Sequence, residues 1–249
     1  MGAIFNKKTH ILDTDLLEGL VDIHSHILPG VDDGVQSLEE AQMALEFLSE
    51  IGVSKMFLTP HIMEEYPQND TSSFQVEFYE FSYNCNTNIQ LQLAAEYMID
   101  SNFNSHLRKG LLSMNNRHVL VETSFLSPPL NITKLLYSIK LEGYNPIMAH
   151  PERFRYMTTR DLQSLKDRNC KFQLNLLSLS GCYGNSAQSR AEELLKNEFY
   201  DFIGTDFHNL ETFQKELKKL SLTSAQINKL QRLVENNYML WPLKDLHYM

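Results

Sequence analysis

Residues 20–34 are LVDIHSHILPGVDDG, a short apolar run followed by two histidines, a Pro-Gly turn and two aspartates. A short apolar run bounded by turn residues predicts a buried β-strand. Imidazoles and carboxylates are also the side chains that bind divalent metals. A single His-x-His pair arises by chance about as often as it marks a ligand pair. The interpretation therefore depends on whether similar side chains follow the other strands of the chain.

The composition limits the class of protein. The chain has 249 residues, of which 43% are hydrophobic, and this length suits a single α/β barrel. Its net charge of −9 argues against a nucleic-acid groove and against a polybasic membrane patch. No apolar run approaches the roughly 18 residues of a membrane span, and the first residues lack a signal-peptide core. We expect a cytoplasmic protein without nucleic-acid partners or membrane insertion.

The cysteines exclude two further classes. Three are present, widely spaced and without a Cys-x-x-Cys pair: Cys85, Cys170 and Cys182. This usage suits a reducing compartment and excludes a zinc site built from cysteines. A cysteine phosphatase needs an arginine six positions after its nucleophile. The residues at that distance here are Leu91, Leu176 and Gln188.

Short apolar runs alternate with longer amphipathic stretches along the chain. The predicted strands are residues 20–23, 53–59, 89–95, 118–121, 145–149, 171–176 and 200–204. The predicted helices are residues 38–51, 71–86, 131–142, 159–168, 185–198 and 223–237. This alternation indicates βαβ units and a parallel sheet, either doubly wound or closed into a barrel. We expect one domain over residues 20–249, preceded by an N-terminal extension over residues 1–19.

The helix over residues 38–51 has the clearest signals. Ser37 followed by Glu40 is a capping-box pattern, and Gly52 lies where helices commonly end. An apolar stripe with helical spacing is formed by Met43, Leu45, Phe47, Leu48 and Ile51.

Metal-binding side chains follow six of the seven predicted strands. They are, in chain order, His24 and His26, His61, Glu96, Glu122, His150, and Asp206 with His208. Each one alone is explained as well by a strand-end hydrogen bond or a helix cap. The carboxyl ends of barrel strands open on one face, so these side chains converge there. Because crowded, unpaired charges are costly, the set as a whole predicts a site for divalent metals.

Two further residues are candidates for this site. Asp33 is close enough to the first strand to add a carboxylate, although Asp32-Asp33-Gly34 is also a plain turn sequence. Between the two aspartates we prefer Asp33. Arg153 follows His150 by three residues, and its guanidinium suits an anionic ligand held in bidentate fashion. The alternative is a salt bridge from Arg153 to Glu152; Arg155 is a weaker candidate for the anion.

These motifs together resemble a known family. DIHSH, DDG, TPH, the strand-end glutamates, AHPER and TDFHN, in this order, resemble the polymerase-and-histidinol-phosphatase (PHP) superfamily. Within it, HSHILPGVDDG with TPH and HPER closely resembles the manganese-dependent tyrosine phosphatases of bacterial capsule and exopolysaccharide operons. The resemblance covers about residues 20–240. It implies a distorted seven-stranded (β/α)7 TIM-like barrel of the PHP type.

The resemblance also implies two to three divalent ions, manganese or iron in the first place, with zinc accepted as well. Glu96 would bridge two of the ions. The three ligand sets would be His24, His26, Glu96 and Asp206; Glu96, Glu122 and His150; and Asp33, His61 and His208. Arg153 matches an arginine that binds the substrate phosphate. Asp206 or His208 would assist proton transfer to the leaving phenolate.

The implied function is metal-dependent hydrolysis of phosphotyrosine, notably in the tail of a bacterial tyrosine kinase that controls polysaccharide export. The alternatives are a small-molecule phosphomonoesterase of the histidinol-phosphatase kind and a non-catalytic phosphotyrosine-binding module. An amidohydrolase-type deaminase is disfavoured because Glu122, not a lysine, follows the fourth strand, and because of Arg153. A nuclease is disfavoured by the acidic balance.

Two positions depart from the family pattern. Relatives often carry a second phosphate-binding arginine shortly after the last histidine, whereas residues 209–217 here are NLETFQKEL, with Lys215 as the nearest cation. This departure concerns phosphate affinity and substrate choice more than metal binding. Asn237 stands where some relatives have proline. We interpret that difference as drift.

Overall fold

The computed structural model describes residues 7–242. Its strands are β1 (Lys8–His10), β2 (Val21–Asp22), β3 (Lys55–Leu58), β4 (His61–Ile62), β5 (Gln90–Leu93), β6 (Glu96–Met98), β7 (His118–Glu122), β8 (Asn145–Ala149), β9 (Lys171–Asn175), β10 (Phe202–Gly204) and β11 (Ser221–Thr223). Its helices are α1 (Leu38–Glu50), α2 (Thr71–Asn84), α3 (Phe103–Lys109), α4 (Ile132–Leu141), α5 (Thr159–Lys166), α6 (Asn185–Lys196), α7 (Leu210–Leu217) and α8 (Ser224–Asn237). In this part of the chain, no helix is both long and apolar enough to cross a membrane.

The strands form a mixed α/β fold with parallel sheets. One sheet has six strands in the order β10-β9-β8-β7-β6-β4, and a second has the order β2-β3-β5. Both are parallel throughout, whereas β1 and β11 form a separate antiparallel pair. The predicted alternation of parallel strands and helices is therefore confirmed. Because the ladders form separate sheets, a closed barrel of seven strands is not confirmed.

All seven predicted strands are present, but two of them are interrupted. The second predicted strand is β3, followed after Thr59 and Pro60 by β4, and the third is β5, followed after two alanines by β6. Pro60 has no amide hydrogen to donate, which explains the break in the ladder at that point. His61 and Glu96 consequently begin short strands of their own, whereas the sequence placed them after strand ends.

Most of the features predicted for helix α1 are confirmed. The Ser37 hydroxyl accepts a hydrogen bond from the Glu40 amide at 3.2 Å, as a capping residue does. The Glu40 carboxylate, however, accepts from the Gln36 amide at 2.9 Å and not from Ser37. Met43 is 49% exposed, so its place in the apolar stripe was wrong. The buried face of the helix consists of Ala41, Ala44, Leu45 and Leu48.

The described part of the predicted N-terminal extension packs against the rest of the fold. Lys8–His10 pairs with β11, and Ile11 is fully buried. Leu16 and Leu17 are also buried. Residues 1–6 and 243–249 lie outside the described residues. The boundary at residue 20 stays a prediction, although Ile11, Leu16 and Leu17 belong to the hydrophobic core.

Asn237 near the end of α8 ties two strands together. Its Nδ2 donates to the carbonyl oxygens of Val21 at 2.8 Å and Ile203 at 2.7 Å, and its Oδ1 accepts from the Ile203 amide at 3.2 Å. The side chain is fully buried. The interpretation of this position as drift was wrong, because the amide satisfies the backbone of β2 and β10.

Asn237→Ala is therefore expected to lower the free energy of unfolding by about 2–4 kcal/mol, since buried backbone groups lose their partners. Thermal melts measure the effect. Asn236→Ala is the matched control, because the Asn236 amide makes one hydrogen bond, to the Asp201 carbonyl, at a half-buried position. Equal melting temperatures for the two variants would contradict the bridging role.

Candidate metal centre and active site

All nine predicted metal ligands lie close together at the carboxyl end of the parallel strands. In each of three groups, one ligand atom per residue lies within 4.8 Å of the others: His26, Asp33, His61 and His208; His24, Glu96, His150 and Asp206; and His61, Glu96 and Glu122. These groups differ from the implied sets: His26 joins Asp33 and its partners, His150 joins His24 and its partners, and His61 also lies with Glu96 and Glu122. The assignment of ligands to individual ions stays a prediction.

Glu96 lies at the middle of the cluster. Its Oε2 is 3.1 Å from His24 Nε2, 3.4 Å from His26 Nε2 and 3.2 Å from His61 Nδ1. Its Oε1 lies 3.2 Å from His150 Nε2. The residue is fully buried. Burial raises the pKa of the Glu96 carboxyl, but the facing imidazoles, His24 first, hold this pKa well below its usual range.

The hydrogen bonding of the cluster fits a metal centre. Among the described residues, Glu96 Oε2 and His61 Nδ1 are buried atoms without a hydrogen-bond partner, although they lie near each other. Leaving buried polar atoms unpaired costs free energy, so such atoms need another partner. Imidazole nitrogens and carboxylate oxygens in this number suit divalent first-row metals. The residues present therefore fit the metal ions that the sequence predicted.

Asp32 orients one of these imidazoles. Its Oδ2 accepts from His26 Nδ1 at 2.8 Å and from the His61 amide at 2.9 Å, and its Oδ1 accepts from the Gly34 amide at 3.0 Å. Burial raises the pKa of the Asp32 carboxyl, but His26 outweighs this effect and lowers the pKa well below its usual value. With Nδ1 engaged, His26 presents Nε2 to the cluster, as carboxylate–histidine pairs behind metals do.

Asp33 occupies a different position from Asp32. Its Oδ1 lies 3.5 Å from His61 Nε2 and 3.6 Å from His208 Nε2, and its side chain is 61% exposed. The two neighbouring aspartates thus contact different parts of His61: Asp32 its backbone amide and Asp33 its ring. The sequence suggested that one of them would contribute, whereas the structure gives each a separate contact.

Gln173 holds a second imidazole in the same way. Its Oε1 accepts from His24 Nδ1 at 3.0 Å, and the glutamine is fully buried in β9. Burial lowers the pKa of His24, but the Glu96 and Asp206 carboxylates outweigh this effect and raise it to about 9. Gln173 was not among the site residues predicted from the sequence. The available signal was a polar side chain inside the apolar run KFQLNL.

Asp32→Asn is expected to weaken metal binding by about 10- to 100-fold. The side-chain amide has one acceptor oxygen where the carboxylate has two, so it no longer fixes the His26 tautomer. Chelator competition on the metal-loaded protein measures the affinity. The control is Asp167→Asn, at an exposed position directly after the last residue of α5. Unchanged affinity in Asp32→Asn would show that His26 is held by other contacts.

Arg153 is held at the edge of the cluster. Its guanidinium carbon lies 4.2 Å from the ring centroids of both Phe125 and Tyr183. Its Nη1 donates to Asp206 Oδ2 at 3.0 Å. Stacking between two aromatic rings favours the planar guanidinium over an ammonium group. The structure therefore presents Arg153 as a fixed cation beside the candidate metal centre.

The alternative pairing of Arg153 with Glu152 was wrong. Glu152 is buried, and its carboxylate accepts from the Asn175 amide at 3.1 Å, the Ser178 hydroxyl at 2.7 Å and the Tyr200 hydroxyl at 2.9 Å. It points into the fold and away from Arg153, because these three donors satisfy it there.

Asp206 connects the arginine to the histidines. Its Oδ2 accepts from Arg153 and from Asn175 Nδ2 at 2.7 Å, whereas its Oδ1 lies 3.2 Å from His24 Nε2. Burial raises the pKa of the Asp206 carboxyl, but the histidines around it, His24 first, hold the pKa well below its usual range. His208 Nδ1 donates to the Asp206 carbonyl at 2.9 Å, and the His208 side chain is partly exposed.

A cavity of about 980 Å³ opens above the cluster. Among the described residues, Arg153 is the one lysine or arginine that lines it. Beyond His208 the lining continues with Asn209, Thr212 and Phe213, and neither Lys215 nor Arg155 reaches the cavity. Within residues 7–242, the tertiary structure therefore supplies no second cation at the cavity in place of the missing arginine.

Comparisons with known proteins agree with this arrangement. Tyrosine-protein phosphatase YwqE of Bacillus subtilis (strain 168) is 28% identical over 201 residues, covering 78% of this chain and 79% of that protein. Tyrosine-protein phosphatase CpsB of Streptococcus pneumoniae is 27% identical over 206 residues, covering 78% and 84%.

A solved structure shows the same fold. It comes from a study of YwqE from Bacillus subtilis and CpsB from Streptococcus pneumoniae, described as unique metal-dependent tyrosine phosphatases. It matches with a TM-score of 0.78 at 24% identity, covering 90% of this chain and 100% of that chain. The family model for capsular polysaccharide synthesis, CpsB/CapC, matches residues 20–238. The resemblance found in the sequence is confirmed, and the chain belongs to the CpsB/CapC family of capsular polysaccharide synthesis.

Proposed function

We propose that this protein is a metal-dependent protein-tyrosine phosphatase. Its substrate is phosphotyrosine in the tail of a bacterial tyrosine kinase that regulates capsular or exopolysaccharide synthesis. The observation that carries the proposal is Arg153, stacked between two aromatic rings beside a buried cluster of histidines and carboxylates. The relatives named as tyrosine-protein phosphatases support the choice of substrate. The proposal includes a cytoplasmic location, which suits the three free thiols.

The cofactor is two or three divalent ions, manganese or iron, with zinc also accepted by the same ligands. The nine residues grouped above would hold them. Bound there, the ions would activate a water molecule for attack and neutralise charge on the phosphate oxygens.

The side chains of the protein contribute binding and proton transfer. Arg153 binds the phosphate through its planar fork of donors, and the rings of Phe125 and Tyr183 keep that fork in place. Of the two candidates for proton transfer to the leaving phenolate, we favour His208 over Asp206. The pKa of Asp206 lies well below its usual range, so this carboxylate has no proton to give, whereas His208 is partly exposed at the cavity.

The proposed architecture is a distorted seven-stranded barrel in which β3 with β4, and β5 with β6, each count as one strand. Two contacts support closure between β2 and β10: the His26 amide donates to the Phe207 carbonyl at 2.8 Å, and the Asp206 amide to the His24 carbonyl at 2.8 Å. The Glu96 amide also donates to the Pro60 carbonyl at 3.1 Å, which links the two interrupted strands. Such a barrel would place all strand ends at one mouth.

Turnover assays test the proposed function. The protein is loaded with Mn²⁺ and offered a phosphotyrosine peptide and histidinol phosphate in parallel. We expect hydrolysis of the peptide with a much higher kcat/KM than that of the small phosphoester. Preference for histidinol phosphate would favour the small-molecule phosphatase. Tight binding of the peptide without turnover would favour the phosphotyrosine-binding module.

A further inference from the structure

An exposed apolar surface follows β7. Leu126 and Leu130 are each 89% exposed, and further along α4 Tyr137 is 61% and Leu141 67% exposed. Large apolar side chains that cluster on a surface usually mark an interaction site, whereas single ones need no explanation. These four residues lie within 16 consecutive positions of the chain, residues 126–141.

A groove of about 640 Å³ runs along α4 within this surface. We call it the α4 groove; its lining residues include Pro129, Tyr137, Lys134, Lys140 and Arg168. Among the residues that the structure describes, its lining has three cations and no carboxylate, although the protein as a whole has a net charge of −9. Lys134 and Lys140 are exposed, so their charges are available to a ligand.

The α4 groove adjoins the active-site cavity. Pro129 lines both, and residues 126–128 line the cavity on the same side. The cavity rim also carries Glu64, Glu65 and Asp100. A bound peptide with acidic side chains would be repelled by these three carboxylates and attracted toward the α4 groove.

We propose that the α4 groove binds the residues that flank the phosphotyrosine, and that it selects acidic side chains interspersed with apolar ones. The inference rests on the proposed function, because the phosphate must first occupy the cavity beside Arg153. An extended peptide advances roughly 3.3 Å per residue, so a few residues suffice to leave the cavity and enter the groove. Lys134 and Lys140 pair with the acidic side chains, and Tyr137 and Pro129 contact the apolar ones.

The same chemistry would also suit an anionic lipid surface. A peptide is favoured here because the groove shares Pro129 with the cavity that holds the candidate catalytic residues. Lipid binding is therefore treated as an outcome that the experiment must distinguish.

The test uses the double variant Lys134→Glu/Lys140→Glu of the full, metal-loaded protein. The control is Lys109→Glu/Lys196→Glu, which makes the same change in net charge at exposed positions away from both cavities. The probes are a phosphotyrosine peptide flanked by Asp, Glu and Leu, a matched peptide with Asn and Gln in place of the acids, and p-nitrophenyl phosphate. Peptide binding is also measured directly by fluorescence anisotropy, with and without added salt.

For the groove variant we expect kcat/KM and affinity for the acidic peptide to fall about tenfold, mainly through KM, with loss of most of the salt dependence. The neutral peptide and p-nitrophenyl phosphate should be turned over as by the unaltered protein, and the control variant should behave normally throughout. Equal behaviour of the groove variant and the control toward the acidic peptide would overturn the inference. So would an equal loss on all three probes. Binding to vesicles containing phosphatidylglycerol is measured beside the peptides, and a loss confined to these vesicles would also overturn the inference.

Failure of the proposed function has a different signature. The unaltered protein would then hydrolyse neither phosphotyrosine peptide, whether or not it turns over p-nitrophenyl phosphate. The anisotropy measurement would still decide whether the α4 groove binds the acidic peptide, because it does not depend on turnover.

Discussion

Glu96→Gln is expected to lose bound metal and nearly all phosphatase activity while keeping its fold. The substitution preserves the shape of the side chain but removes its negative charge, in the middle of imidazoles whose nitrogens lie 3.1–3.4 Å away. A neutral amide is a much poorer ligand for a divalent cation than a carboxylate. Because the metal centre supplies the main catalytic groups, we expect kcat to fall by at least about 100-fold.

Elemental analysis and phosphotyrosine turnover check this prediction on the same preparation. Circular dichroism verifies that the variant is folded. Glu192→Gln, on the exposed face of α6, controls for the loss of one negative charge. Full metal content with normal rates in Glu96→Gln would refute a central role for Glu96 in the metal centre.

Arg153→Ala is expected to lower kcat/KM for a phosphotyrosine peptide. The loss corresponds to about 2–4 kcal/mol of transition-state stabilisation. A guanidinium has donors but no lone pair for a cation, so metal stoichiometry should stay unchanged. The loss should be severe because, among the described residues, no other lysine or arginine lines the cavity. Arg153→Lys should recover only part of it, since an ammonium group cannot reproduce the stacked, bidentate geometry.

Steady-state kinetics beside metal analysis decide the role of Arg153. Arg155→Ala is a matched control, because this neighbouring arginine is exposed and does not line the cavity. Glu152→Ala should instead lower the melting temperature, since it leaves the donors of Asn175, Ser178 and Tyr200 unpaired. Near-normal kcat/KM in Arg153→Ala would remove this residue from the site and weaken the phosphatase proposal.

Several features of the fold were predictable from local sequence. Several of the strands are nearly continuous apolar runs, as strands buried on both faces are, and all seven predicted strands are present. The short elements β1 and β11 and the helices α3 and α7 were missed. A three-residue strand and a helix of two turns leave too little periodicity to detect, and they form because the rest of the fold packs against them.

The metal ligands were also predictable, for a physical reason. Parallel strands bring their carboxyl ends together whatever lies between them, so residue type and position after a strand were sufficient to select His24, His61 and Glu122. No contact between these side chains had to be known in advance. The sequence by itself therefore determined the family and the membership of the candidate metal centre.

Only the tertiary structure decided which atoms face one another. Asp32 lies behind His26, Arg153 pairs with Asp206, and Glu152 points into the fold. Phe125 and Tyr183 enclose Arg153, although they are 58 positions apart in the chain. Hydrogen bonds and ring contacts act over a few ångströms, so they depend on packing between segments whose sequence separation carries no information about distance.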